Sequence, residues 1–146
     1  REENIMTGSN YSTNLYLPGD KNSPVVKLHF FNHREKFQEI DINPGVDAVD
    51  FYSAMDVERY IGKAIEIAED LPMGAQEKIL CENKRPSAKY AFRPQIHFTA
   101  ETGWINGPNG LICSDGVYHL YHQWNPFGTE CGNMHWGHAV SKDMIT

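Results

Sequence analysis

The chain has 146 residues, with 13 Lys and Arg against 19 Asp and Glu, for a formal net charge of −6. That length allows one ordinary domain, or a small domain with part of another. The acidic balance lacks the clustered basic residues that nucleic acid or an anionic lipid surface would require, so no nucleic-acid partner is expected. Hydrophobic residues at 40% and charged residues at 22% fit a globular chain, and no apolar run is long enough for a membrane span.

In chain order, residues 1–13 are polar and read as a flexible lead-in. Arg1-Glu2-Glu3-Asn4 has no apolar h-region, so these residues hold no signal peptide. Residues 25–31 alternate as a strand, and residues 37–42 form a second after a charged turn. Pro44-Gly45 breaks the chain, and residues 49–52 begin another extended run. Val57, Tyr60, Ile61, Ala64, Ile65 and Ala68 have helical spacing, but Gly62 interrupts them and residues 64–67 also alternate. One helical turn capped by Asp56, stopped at Gly62 and followed by a strand over 63–68, is the preferred reading. Pro72-Met73-Gly74 reads as a turn, and residues 83–87 as a linker.

After Tyr90 the texture changes: Trp, His, Gly and Asn become dense. Ser114-Asp115-Gly116 is a hairpin signal between residues 111–113 and 117–121. Asn125-Pro126-Phe127-Gly128 is another turn, and an extended run follows through residues 134–140. The expected organisation is two β-rich units.

Seven histidines raise the question of a metal. His119 and His122 are three apart, as are His135 and His138, but on strands such pairs point to opposite faces. Packed or hydrogen-bonded histidines are therefore expected, with no metal site. Cys81, Cys113 and Cys131 have no zinc-type spacing and define no disulfide framework. No GxSxG elbow is present, and no acid among Glu101, Asp115, Glu130 and Asp143 stands out as a nucleophile. Trp104, Trp124 and Trp136, with Asn106, Asn109 and Gln123, suit a carbohydrate better: flat rings stack on sugar faces, and amides both donate and accept hydrogen bonds. Tryptophans packed in a core and amides in turns are the competing explanation.

Four segments carry a more specific signal. Arg93-Pro94-Gln95-Ile96-His97-Phe98-Thr99 opens the region. Gly103-Trp104-Ile105-Asn106-Gly107-Pro108-Asn109-Gly110-Leu111 follows. Residues 115–126 run from Asp115-Gly116-Val117-Tyr118 to Gln123-Trp124-Asn125-Pro126, and Gly132-Asn133-Met134-His135-Trp136-Gly137-His138-Ala139-Val140 completes the set. In order, they resemble the conserved blocks of glycoside hydrolase family 32, the levanase, inulinase and invertase family.

That resemblance implies an all-β chain: a β-sandwich over 14–88, then over 89–146 the incomplete first part of a five-bladed β-propeller that cleaves β-fructofuranosides with retention. It implies no metal or organic cofactor, a fructan or sucrose-type carbohydrate as ligand, a secreted or periplasmic location, and exposed sheet edges open to self-association. The family's nucleophilic aspartate falls on Gly107, so no catalytic residue is intact. Trp104, Asn106 and Gln123 fall on substrate-binding positions, as does Cys131, where the family has a tryptophan. Cys113 replaces a frequent aromatic residue. The family's later acids lie downstream of these blocks, so the chain is expected to be a catalytically incompetent piece of a β-fructosidase. A non-catalytic carbohydrate-binding protein and a degenerate gene product are the alternatives.

Overall fold

The computed structural model describes residues 3–6, 13–68, 71–84, 86, 94 and 96–145. Arg93, Gln95 and part of the expected linker, Arg85 and Ser87, lie outside the described residues. The structure is all-β, and it divides into two compact units, residues 1–88 and 89–146.

In the first unit the strands are β1 (Glu3–Met6), β2 (Asn14–Gly19), β3 (Val26–Asn32), β4 (Glu35–Ile42), β5 (Phe51–Asp56), β6 (Ala64–Ala68) and β7 (Leu80–Glu82). They form an antiparallel four-stranded sheet of order β1-β6-β3-β4 and a three-stranded one of order β5-β2-β7. Period-two patterning decides which face each strand buries. Leu28 and Phe30 on β3, Ile40 and Ile42 on β4, and Ile65 and Ile67 on β6 are all buried, while Lys27 and Glu39 face water. On the smaller sheet Phe51, Ser53 and Met55 of β5 are buried, and the central strand β2 is buried from Leu15 to Gly19. Two sheets, each with one apolar face, fit the two-layer solution for a small β domain.

Three sequence expectations change in detail. Residues 3–6, expected within a loose lead-in, form β1 and pair with β6. Asp56 does not cap the turn as its N-cap. That position is Val57, and Asp56 Oδ1 accepts the Glu58 N–H at 2.8 Å ahead of a 3₁₀ turn at Glu58–Tyr60. Gly62, with φ +75°, ends that turn and the strand follows. The turn expected at Pro72-Met73-Gly74 is instead the start of a short helix, α1 (Met73–Gln76), in which the Pro72 carbonyl accepts from Ala75 and Gln76. Proline has no N–H to lose at a helix start, so it fits there.

The second unit is a meander of β8 (Trp104–Ser114), β9 (Val117–Asn125) and β10 (His135–Ser141), in the order β10-β9-β8. The hairpin turn at Ser114-Asp115-Gly116 lies where the sequence placed it. Asp115 (φ 51°) and Gly116 (φ 76°) are both in the left-handed region that a tight two-residue turn requires.

Candidate functional site

β8 is eleven residues long and contains two glycines, a proline and two asparagines, a composition that would normally argue against a strand. It stays paired through two bulges. Asn106 opposes Gln123 and Pro108 opposes His122, so Gly107 is an extra residue with φ +45°. A second irregularity lies between Asn109, opposite Tyr121, and Ile112, opposite His119, with Gly110 at φ +59° inside it. Glycine reaches these angles without steric cost.

The first bulge brings three of the sequence-predicted positions together. Asn106 is exposed and faces the half-buried Gln123 across the ladder. A Cβ at Gly107 would lie 3.2 Å from Gln123 Oε1 and 3.3 Å from its Cδ. Any side chain at 107 would therefore point at the Gln123 amide. Trp104 is two residues before Asn106, opposite Asn125, and half-buried. Trp104, Asn106 and Gln123 share one face of the sheet, because cross-strand partners point the same way. Trp136 (opposite Gln123) and His138 (opposite Tyr121) lie on that face too. Cys131 is not on a strand. It is exposed in the loop between β9 and β10.

That loop is held by Asn125, which is buried. Its Nδ2 donates to the Glu130 carbonyl at 2.8 Å, and its Oδ1 accepts from the Phe127 N–H at 3.0 Å and from Asn133 Nδ2 at 3.1 Å. Trp124, on the opposite face, donates from Nε1 to the Thr102 carbonyl at 2.8 Å. The sequence singled out Trp124 as a ring and Asn125 only as a turn residue; the part Asn125 plays in holding the loop depends on atoms at 127, 130 and 133.

The histidines separate by face as strand geometry requires. His122 is buried, its Nδ1 3.1 Å from the Gln123 carbonyl and its ring against Gly137. On the other face His119 Nδ1 and His138 Nε2 are 3.0 Å apart, and the Tyr121 ring stacks on His138 at 4.3 Å. Among the described residues no three His, Cys, Asp or Glu side chains converge as a metal site. The face bearing His122 carries a groove of about 440 Å³, lined by Phe98, Leu111, Tyr118, Leu120 and Ala139.

Residues 97–146 match the family model described as the Glycosyl hydrolases family 32 N-terminal domain. The chain is 56% identical over 55 residues to a levanase of Bacillus subtilis, covering 38% of this chain and 8% of that protein. It is 53% identical over 53 residues to an invertase of Schizosaccharomyces pombe, covering 36% and 9%. It is 51% identical over 53 residues to an extracellular exo-inulinase of Aspergillus awamori, covering 36% and 10%. The chain thus spans about a tenth or less of the length of these relatives. Through the segment that holds β8, β9 and β10, the chain is thus similar to the N-terminal domain of glycoside hydrolase family 32.

Proposed function

We propose that residues 97–146 supply one wall of the sugar site of a β-fructosidase-type hydrolase, and that this chain binds a fructan or sucrose-type carbohydrate there without cleaving it. The observation that carries the reading is the bulge at Gly107, which aims position 107 at Gln123 with Asn106 alongside. Two amides on one strand pair offer donors and acceptors to vicinal hydroxyls. Trp104 on the same face adds an apolar ring for a sugar face. The levanase, invertase and inulinase names of the relatives set the ligand class. The extracellular relative supports a secreted protein.

Retaining hydrolysis needs a carboxylate to attack the anomeric carbon while a second acid protonates the departing oxygen. The resemblance puts the attacking group at position 107, and glycine has no atom to form the covalent intermediate. Cys131 at the family's tryptophan position also offers less stacking surface. Both changes weaken the chemistry while leaving the Asn106–Gln123 pair in place.

Two measurements test the two halves separately. Incubation of the chain with levan, inulin and sucrose should release no fructose. Release above background that Gly107→Ala leaves unchanged would place the chemistry elsewhere and end the inactive reading. Titration with fructo-oligosaccharide at millimolar concentration should shift the side-chain amide NMR signals of Asn106 and Gln123, and Gln123→Ala should weaken binding. Amide signals that do not move at that concentration would remove the binding half.

A further inference from the structure

We propose that the two Asn-Gly bonds of β8, Asn106–Gly107 and Asn109–Gly110, are sites of spontaneous covalent modification, at which each asparagine loses ammonia and becomes aspartate or isoaspartate. No other asparagine in the chain precedes a glycine. Glycine has no side chain to shield its own nitrogen, and its peptide plane turns easily. In a regular strand, pairing holds that N–H in the ladder and keeps the backbone extended, away from the preceding side chain. Both bonds escape this restraint. Gly107 is the extra residue between Asn106 and Pro108, and Gly110 lies in the irregularity between Asn109 and Ile112. A bulge disrupts the ladder locally, and both glycines have left-handed φ, +45° and +59°. The side chains are equally untied. Asn32, Asn43 and Asn125 each donate from Nδ2 to a carbonyl, of Ala64, Ser23 and Glu130, and Asn133 donates to Asn125 Oδ1. Among the described residues the Asn106 and Asn109 amides have no hydrogen-bond partner.

The first step is internal to the dipeptide. The Gly107 backbone nitrogen attacks Asn106 Cγ, a C–N bond forms, and the Cγ–Nδ2 bond breaks. The nitrogen's proton passes through solvent to the departing ammonia, and a five-membered succinimide closes. Water then opens the ring at either carbonyl. One opening gives aspartate. The other gives isoaspartate, which routes the main chain through the former side chain and adds a carbon to the backbone of β8. The same steps apply to Asn109 and Gly110. Each conversion replaces a neutral amide by a carboxylate, so the formal net charge of −6 becomes −8 when both bonds have reacted. At Asn106 the new carboxylate stands opposite Gln123. An amide both donates and accepts, whereas a carboxylate only accepts, so the pair loses its donors on one side. That last consequence for a sugar ligand rests on the proposed function, and the covalent chemistry does not.

Warming the folded chain at mildly alkaline pH, beside the same chain unfolded in urea, tests this by intact mass and peptide mapping. Each conversion should raise the mass by about 1 Da, and by about 2 Da more in heavy-oxygen water, which supplies the new oxygen. The folded chain should convert at Asn106 and Asn109 at a rate comparable with the unfolded one, give paired aspartate and isoaspartate peptides, and react faster as pH rises. Asn32, Asn43 and Asn125 should stay intact until urea releases them. Gly107→Ala should slow the event at Asn106 severalfold, with Asn109 as the internal clock. A folded chain that keeps its mass while the unfolded chain converts overturns the proposal, as does an unfolded chain that never converts. Loss of ammonia from Asn32 or Asn43 as fast as from Asn106 overturns it too. Conversion at Asn109 and not at Asn106 overturns it for the bond beside Gln123. If Gly107→Ala disturbs the fold, the ratio of folded to unfolded rates decides alone. Converted chain should bind fructo-oligosaccharide more weakly than fresh chain. Equal binding removes that consequence alone, and fresh chain that binds none removes the sugar reading while the mass gain stands.

Discussion

Gly137 has a task that its place in a strand hides. A Cβ there would lie 2.1 Å from His122 Cε1 and 2.3 Å from Nε2, so the imidazole rests on the bare backbone of the next strand. The ring is buried, with its Nδ1 beside the Gln123 carbonyl and Phe98 tilted against it at 5.1 Å, so it has little room to retreat. Gly137→Ala should destabilise the chain by about 1–3 kcal/mol, the usual range for forcing atoms into a packed place. The cost should be smaller in a His122→Ala background, where the obstructing ring is gone. Thermal or urea melts of the four members of that cycle give the coupling. Additive losses would mean that the ring and the glycine do not meet. Neither Gly137 nor Gly107 could be assigned its part from spacing alone. The sequence marks both as glycines within motifs, but the reason for each is a side chain on a neighbouring strand. The histidine pattern was more legible. The alternation rule separated His119 from His122 and His135 from His138, and the structure adds the contact between His119 and His138 that only pairing of β9 with β10 reveals.

At the scale of elements, the strands that alternate were readable, and those that bend the rules were not. β3, β4 and β6 follow period two, and their expected ranges lie within a residue or two of those observed. The long β8 was visible only from residue 111 onward, because Gly107, Pro108 and Gly110 look like a loop until bulges are allowed for. β3 and β4 also show what alternation does with the charges it turns outward. Lys27 opposes Asp41, His29 opposes Glu39, and Lys36 reaches the same carboxylate. Hydrogen bonds from Lys27 and then Lys36, with a smaller one from His29, lower the Glu39 pKa to about 2, while Lys27 is raised by Glu39 and Asp41. A carboxylate lowered in the folded state adds stability above its unfolded value, near 4.5, and that contribution is lost as pH falls towards about 2. The group is exposed, so the effect on stability is small and weakens with salt. An NMR titration of the Glu39 side-chain carboxyl should give a midpoint near 2, and Lys27→Met should raise it. A midpoint that does not respond to Lys27→Met would dissolve the network.

The two units are built to different depths. The first buries Leu15, Leu17, Leu28, Phe30, Ile40, Ile42, Val57 and Ile65 almost completely. The second buries one large apolar side chain among its described residues, Phe127, and leaves Leu111, Ile112, Trp136 and Val140 mostly in water. Burying a Leu, Ile or Phe is worth about 1.5–3 kcal/mol, so the first unit has several times the driving force. What holds β8, β9 and β10 together is mainly their ladder and the polar clasp of Asn125, and exposed backbone hydrogen bonds open at low free energy. Amide hydrogen exchange should therefore show two classes. The amides of β2 and β3 should be protected more than those of β9, the best-paired strand of the second unit, by on the order of a hundredfold. Equal protection would mean that something other than burial stabilises the second unit.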